Sequence, residues 1–383
     1  EIQKACGKLL NDRAGSISVM DIYTGDIIAM YSSPSYDPNK FLFGISNDDW
    51  ALIRNNPLKP LINKTLSGLY SPGSTIKPIV ALSALENKIV SPNFTVKCTG
   101  KMELYGQTFH CWKEKGHGFM SLKNAMKQSC DTYFYEVARL LGVDRLNVTA
   151  EKFGLGKKVL GDYYDYEKSG LFPNTKWKKN NLGKGWVLGE TLITGIGQGY
   201  TQTTPLQLCL MTAQIANGGY SIKPRIVVNN NPMSLEEAKS KLQEETLHGQ
   251  EKKLFKDHKN IKIVQEAMFS STNELYGTSY KSRIDNPKYQ FAGKTGTAQV
   301  KRISMREREL DLKIEQIPYK DRDHALFVAY GPYVNPRYAL SIIVEHGGSG
   351  SRTAAPIAKE LFKLIIDRDK LRNKQKNFEE IDI

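Results

Sequence analysis

Residues 68–78 read Gly-Leu-Tyr-Ser-Pro-Gly-Ser-Thr-Ile-Lys-Pro and join a loop-rich segment to an apolar stretch. The pair Pro72-Gly73 is typical of a turn, and the apolar residues of 75–85 recur with helical spacing. We therefore predict a helix that starts at Ser74. In such a helix Ser74 and Lys77 share a face, which brings a hydroxyl within reach of an amine. The N–H groups at the helix start would stabilise a developing oxyanion.

The segments on either side of this stretch predict an α+β protein. Alternating or strand-like patterns occupy residues 15–31, 289–300, 325–333 and 338–346, and helical patterns occupy residues 1–12 and 353–366. The middle of the chain is helical, with predicted helices at 122–130, 133–141 and 204–216. We expect an antiparallel sheet flanked by helices and a second, mostly helical lobe.

The boundaries follow from this alternation of patterns. The sheet lobe comprises about 1–73 and 285–367, the helical lobe comprises about 74–284, and the polar tail 368–383 is expected to fray. Residues 233–258 are rich in Lys and Glu, which predicts a solvated helical surface segment.

Composition narrows the class of protein further. The chain has 383 residues with 40% hydrophobic and 25% charged residues, values typical of a globular protein. Lysine and arginine exceed the acidic residues by 54 − 40 = 14, which favours anionic partners. The lysines are scattered and no arginine-aromatic signature occurs, so we expect no nucleic-acid partner. No apolar run reaches the roughly 18 residues of a membrane span.

Two further motifs carry possible chemistry. Residues 294–297 read Lys-Thr-Gly-Thr inside a predicted strand, where a central glycine marks either a bulge or the close approach of a ligand. Several Ser-x-Asp or Ser-x-Asn matches occur, but only Ser129-Cys130-Asp131 lies between two helices of the helical lobe. Each motif alone has low specificity.

Taken in this order, the three motifs resemble the active site of penicillin-binding proteins and serine β-lactamases. Other stretches resemble class B penicillin-binding proteins, most of all the elongation-type penicillin-binding protein 2 group. These stretches are residues 68–78, Ile196-Gly197-Gln198-Gly199, Thr204-Pro205-Leu206-Gln207-Leu208, Gly116-His117-Gly118 and Arg322-Asp323-His324. The resemblance covers nearly the whole chain and implies the fold of that superfamily.

The resemblance implies a peptidoglycan D,D-transpeptidase that cross-links stem peptides during cell elongation. Ser74 would attack the penultimate carbonyl of a D-alanyl-D-alanine stem, release D-alanine and form an acyl-enzyme that an amine resolves. Lys77 would be the general base, and burial beside the positive Lys294 would favour its neutral form. Ser129 would relay the proton to the leaving amine, while Asp131 would orient this network.

The same resemblance assigns the substrate-binding groups. Lys294, Thr295 and Thr297, in the segment that contains Gly296, would hold the terminal carboxylate. The backbone N–H groups of Ser74 and Thr297 would form the oxyanion hole. The chemistry requires no cofactor, and β-lactams would acylate and inhibit the protein.

Localisation and partners are also implied by the resemblance. We expect a transpeptidase domain in the periplasm of a bacterium, with the inner-membrane anchor and most of an N-terminal pedestal absent from residues 1–383. The implied partners are membrane proteins of the elongation machinery, including a glycosyltransferase. Two rival functions remain: a serine β-lactamase, for which no deacylating carboxylate is identified near residues 163–167, and a β-lactam-sensing or scaffold domain without turnover.

Four residues form a possible zinc site, namely Cys98, Cys111, His117 and Cys130. Cys3His is a known ligand set for structural zinc. Some elongation-type relatives hold zinc through two carboxylates, a histidine and the cysteine of Ser-Cys-Asp, so cysteines would replace both carboxylates here. His110 is an alternative to His117. A Cys98 to Cys111 disulfide and plain buried thiols remain open as well, and Cys6 and Cys209 are interpreted as core residues.

Overall fold

A five-stranded antiparallel sheet in the order β2-β1-β9-β8-β7 forms the centre of the protein. The computed structural model describes residues 1–161, 164–226, 233–249, 252–301 and 314–379. Two small hairpin-like sheets, β3 with β6 and β4 with β5, lie outside the central sheet. The strands in the described ranges are β1 Gly15–Asp21, β2 Ile27–Ser33, β3 Thr95–Cys98, β4 Lys101–Leu104, β5 Gln107–His110, β6 Gly118–Ser121, β7 Ala292–Ala298, β8 His324–Gly331 and β9 Tyr338–Val344.

Helices cover both faces of the central sheet. In the described ranges they are α1 Ile2–Leu10, α2 Asn47–Arg54, α3 Lys64–Ser67, α4 Lys77–Glu86, α5 Leu122–Lys127, α6 Asp131–Leu141, α7 Val143–Lys152, α8 Thr175–Leu182, α9 Leu188–Gly195, α10 Pro205–Ala216, α11 Leu235–Leu247, α12 His258–Asn273 and α13 Ala355–Glu379.

The alternation of side chains along the strands separates two apolar cores. On one face, Ile17 of β1 and Phe327 of β8 pack with α1 and α13 around Phe362. On the other face, Met20 and Leu326 join the larger core of the helical lobe. Burial of each large apolar side chain contributes about 1.5–3 kcal/mol, so the sheet is held from both sides. The predicted α+β architecture with its antiparallel sheet and helical lobe is confirmed.

Two helix predictions differ from the structure. The predicted helix 122–130 ends at Lys127, and a new helix starts at Asp131, so the Ser129 motif occupies the break. The closing helix does not stop near residue 366 but continues to Glu379. The reason is that residues 357–379 contain neither Gly nor Pro and are rich in good helix formers. Residues 380–383 of the predicted tail lie outside the described residues.

None of the described helices combines the length and the apolar composition needed to cross a bilayer.

Candidate active site

Ser74 lies in a tight turn pressed against the end of β7. The 3-10 turn Gly73–Ile76 leads directly into α4, which begins at Lys77. Ser74, where the sequence predicted the start of the α-helix, therefore lies in the more tightly wound 3-10 turn that precedes it. Gly73 has φ 54°, and a Cβ at this position would be only 2.5 Å from the carbonyl oxygen of Thr297. The Gly73 N–H donates to Gly197 O at 2.9 Å. The absence of a side chain at Gly73 therefore permits Ser74 to sit beside β7.

Lys77 connects the Ser74 turn to the Ser129 motif. Its fully buried ammonium donates to Asp131 Oδ1 at 2.7 Å, to Ser129 O at 3.0 Å and to Ser129 Oγ at 3.2 Å. The ring of Phe134 lies 5.2 Å from the Lys77 Nζ. A buried charge needs such partners, because desolvation without compensation is costly. Lys77 thus holds motifs from two helices together.

Lys294 approaches the same hydroxyl from β7. Its Nζ is 2.9 Å from Ser129 Oγ and 3.1 Å from Thr295 O, and the side chain is completely buried. Burial and the positive charge of Lys77 lower the pKa of Lys294 well below its ordinary value. Lys294 is therefore a second buried amine in contact with Ser129 Oγ, beside the lysine that the sequence predicted as the general base.

The turn that carries Ser129 is strained and braced. Ser129 has φ 55°, a left-handed conformation that is uncommon for a residue other than glycine and is concentrated at functional sites. The Trp112 indole N–H is 3.1 Å from both Gln128 O and Ser129 O. The Trp112 backbone N–H donates to Asp131 Oδ2 at 3.0 Å. Trp112 therefore fixes both ends of the motif, and no sequence pattern identified it.

The strand β7 presents its outer edge to the site. It is the terminal strand of the sheet, and Thr297 O accepts from Gln198 Nε2 at 3.0 Å, on the side away from β8. The N–H and C=O of one residue in an antiparallel strand point to the same side. The Thr297 N–H is thus directed toward the Ser74 turn, as the predicted oxyanion hole requires.

The four predicted metal ligands lie together directly behind the Ser129 motif. The sulfur atoms of Cys98, Cys111 and Cys130 and a ring nitrogen of His117 are all within 4.8 Å of one another. His117 Nδ1 is 3.5 Å from Cys98 Sγ and 3.6 Å from Cys111 Sγ. Cys111 Sγ accepts from the Asp131 N–H at 3.3 Å, which links the cluster to the Ser129 motif.

This donor set fits a tetrahedral zinc ion. Zn–S bonds of about 2.3 Å and Zn–N bonds of about 2.0–2.1 Å need donor atoms separated by roughly 3–4 Å. The hydrogen bond with Cys130, aided by His117, lowers the pKa of Cys111 to about 2 against the opposing effect of burial. The same hydrogen bond raises the pKa of Cys130. None of the five cysteines forms a disulfide, and His117 rather than His110 is the histidine of this group.

Glu167 belongs to the segment in which a deacylating base was sought. Its carboxylate accepts from the backbone N–H groups of Val159, at 2.7 Å, and Leu160, at 3.0 Å. Burial raises the pKa of Glu167 despite these two donors. Both carboxylate oxygens of Glu167 are therefore hydrogen-bonded to the backbone of the loop at residues 159–160. Residue 163, at the other end of that segment, lies outside the described residues.

The segment Arg322-Asp323-His324 supports the far end of β7. His324 pairs with Ala298 across the sheet, and Asp323 Oδ1 accepts from the Val300 N–H at 3.2 Å. His324 Nδ1 accepts from the His346 N–H at 2.9 Å. Burial, and then the nearby His346, lower the pKa of His324 to about 4.

Comparison with protein families identifies one domain. Residues 15–363 match the model of the penicillin binding protein transpeptidase domain. Among curated proteins, the chain is 35% identical over 369 residues to the peptidoglycan D,D-transpeptidase MrdA of Salmonella typhimurium, covering 96% of this chain. It spans 58% of that relative's length.

Solved structures agree with this match. A crystal structure of Pseudomonas aeruginosa PBP2 in complex with WCK 5153 superposes with a TM-score of 0.79 and 38% sequence identity, covering 94% of this chain and 72% of the other. The complex of PBP2 and MreC from Helicobacter pylori gives a TM-score of 0.81 and 31% identity, covering 96% of this chain and 62% of the other.

Proposed function

Because the chain belongs to the penicillin-binding protein transpeptidase domain family, we propose that it catalyses peptidoglycan D,D-transpeptidation through an acyl-enzyme on Ser74. The observation that carries the proposal is the convergence of Lys77 and Lys294 on the Ser129 hydroxyl, 3.2 and 2.9 Å away, beside the Ser74 turn. Two buried lysines with one carboxylate favour the loss of one proton, and acyl transfer from serine needs a neutral amine.

A proton can pass from Lys77 to Lys294 through Ser129, which leaves Lys77 as the neutral general base. Its Oγ contacts both amines, so it can pass its own proton to the neutral Lys294 and take one from the Lys77 ammonium. Neutral Lys77 then accepts the Ser74 proton as Ser74 Oγ attacks the penultimate carbonyl. The C–N bond to D-alanine breaks, and Ser129 delivers a proton to the leaving amine.

The charged and polar groups of β7 position the substrate. Lys294, Thr295 and Thr297 hold the terminal carboxylate, and the N–H groups of Ser74 and Thr297 stabilise the tetrahedral oxyanion. An amine of a second stem peptide then attacks the ester carbonyl and restores Ser74. The occupied carboxylate of Glu167 speaks against a β-lactamase, because that function needs a base for an attacking water.

The wider setting of the domain is part of the same proposal. The unit 1–383 acts as the periplasmic transpeptidase domain of an inner-membrane protein, with a sheet lobe of about 1–73 and 285–367 and a helical lobe of about 74–284. It works in cell elongation with a partner glycosyltransferase and other membrane proteins. Support comes from the similarity to a PBP2 solved together with MreC and to a peptidoglycan synthase complex.

Zinc bound by Cys98, Cys111, His117 and Cys130 is a structural addition to this proposal. The ion would brace the segment from Cys111 to Asp131 from behind and would take no part in acyl transfer. Support comes from the donor distances and from the Cys111 Sγ contact to the Asp131 N–H.

Covalent labelling tests the proposed function. Incubation with benzylpenicillin followed by intact mass spectrometry should show one adduct per chain, and Ser74→Ala should show none. Ser71→Ala, which removes a hydroxyl from the same segment, is the matched control and should still be labelled. A persistent adduct in Ser74→Ala would exclude Ser74 as the nucleophile. Release of D-alanine from a stem pentapeptide separates an enzyme from a sensor, which would be acylated without turnover.

A further inference from the structure

A short loop connects β7 to the helix that precedes Ser129, and so joins the two segments between which the candidate site lies. Residues 274–278 follow α12 and are referred to as the 274–278 loop. Thr278 Oγ1 accepts from Thr295 Oγ1 at 2.9 Å, which attaches the loop to β7. The Thr278 N–H donates to Lys127 O at 3.1 Å, which attaches the loop to the helix that precedes Ser129.

Ion pairs and close packing hold this loop in place. Glu274 pairs with Lys123 at 2.7 Å and with Lys127 at 3.1 Å. A Cβ at Gly277 would be 2.3 Å from Ser271 O, so the loop backbone lies directly on α12. Both ends are therefore anchored, and only the tip is free to contact another molecule.

The tip exposes two apolar side chains. Leu275 is 63% exposed and Tyr276 is 81% exposed. Tyr276 also has φ 66°, a left-handed conformation that costs of order 1–3 kcal/mol for a residue other than glycine. Binding residues are disproportionately found on surface loops that a rigid scaffold holds in place, and this tip is such a loop with two adjacent apolar side chains exposed.

We propose that the 274–278 loop is the acceptor-side wall of the cleft and that Leu275 and Tyr276 contact the second stem peptide. This inference rests on the proposed function. The leaving D-alanine departs from the subsite that includes Thr295, and the loop borders that subsite through Thr278. The donor peptide still occupies the other side of the ester, so the acceptor must enter by the vacated side.

The charges of the loop and of α5 beside it suit such a ligand. Lys123 and Lys127 outnumber Glu274, which leaves a net positive edge for a peptide that carries carboxylates. In the step that follows, the acceptor nitrogen forms a bond to the ester carbon and the bond to Ser74 Oγ breaks. The proton of the amine passes through Lys77 to Ser74 Oγ.

Partition of one acyl-enzyme between amine and water tests the proposal. The full chain is acylated with an N-acyl-D-alanyl thioester of mercaptoacetate in the presence of a stem tetrapeptide that has a free side-chain amine. Chromatography then gives the ratio of amide to acid. Because both products come from one intermediate, a smaller folded fraction lowers both equally and leaves the ratio intact.

We expect the variant Leu275→Ala with Tyr276→Ala to lower the amide-to-acid ratio roughly tenfold, the effect of truncating a contact residue at an interface. Tyr276→Ala alone should give part of this loss. With hydroxylamine, which is too small to reach the loop, the ratio should not change. Phe43→Ala is the matched control, since Phe43 is 99% exposed in the segment after β2, at the opposite edge of the sheet.

An unchanged peptide ratio in the double variant would overturn the proposed acceptor wall, and so would an equal loss with hydroxylamine. Neither result would affect the acyl-enzyme itself. Failure of the unaltered chain to form any acyl-enzyme would instead contradict the proposed function.

Discussion

Replacement of Gly73 by alanine tests how closely the Ser74 turn must approach β7. A Cβ at position 73 would be 2.5 Å from Thr297 O, whereas ordinary contact begins at 3.4 Å, so the two segments must separate by about 0.9 Å. Ser74 and Thr297 supply the two N–H groups of the proposed oxyanion hole. A displacement of about 1 Å in such a site costs on the order of 10²-fold in rate. We therefore expect acylation by penicillin to slow by about two orders of magnitude in Gly73→Ala.

The matched control for this experiment is Gly183→Ala. Gly183 has φ 64°, close to the 54° of Gly73, but an added Cβ there meets nothing within 4 Å. Both variants carry the backbone cost of about 1–2 kcal/mol for a left-handed residue, which thermal unfolding measures. Only Gly73→Ala should lose acylation rate in stopped-flow measurements with a fluorescent penicillin. Equal acylation rates in the two folded variants would refute the proposed contact between the turn and β7.

Three further predictions concern the base, the metal and the pH dependence of stability. Lys77→Ala should slow acylation by at least about 10²-fold, the usual contribution of a general base, and unchanged single-turnover kinetics would assign that role elsewhere. Protein purified without chelator should contain about one zinc per chain by elemental analysis, and Cys130→Ser should lose the metal and melt at a lower temperature while Cys209→Ser keeps the metal. A metal-free chain with a Cys98 to Cys111 disulfide in its peptide map would contradict the zinc site. Because the pKa of His324 is about 4 when folded and about 6.5 when unfolded, its stabilising effect is complete above pH 6.5 and is lost as the pH falls to 4. The loss of stability reaches about 3 kcal/mol. In urea titrations, the free energy of unfolding should therefore fall less between pH 7 and pH 4 in His324→Gln than in the unaltered chain. Equal decreases in the two proteins would argue against this effect.

The fold class and the family could be predicted from the sequence because their signals are local. Strand alternation, helical periodicity and three short motifs in a fixed order are all contained in contiguous residues. The break between the two helices was predicted at residues 131–132 rather than 128–130, because the left-handed turn at Ser129 contains no glycine or proline to mark it. Helix propensity alone would carry the helix across residues 128–130.

Contacts between distant segments could not be read from the sequence. Trp112 reaches Ser129 from 17 residues away, and Thr278 reaches Thr295 across the end of α12. The lowered pKa of Lys294 depends on its burial and on the nearby charge of Lys77, and both are properties of the folded chain. The roles of the site residues stay predictions until the variants are measured.

The position of β7 at the edge of the sheet also matters for the solubility of the protein. An unpaired edge strand is a template on which a second chain can add and start aggregation. Here the Gln198 side chain donates to Thr297 O on that edge. Covering an edge strand with another segment is one means by which it resists pairing with a neighbour. Truncation of Gln198 should therefore promote self-association, and inactive variants for structural work are better made at Ser74, which leaves this contact in place.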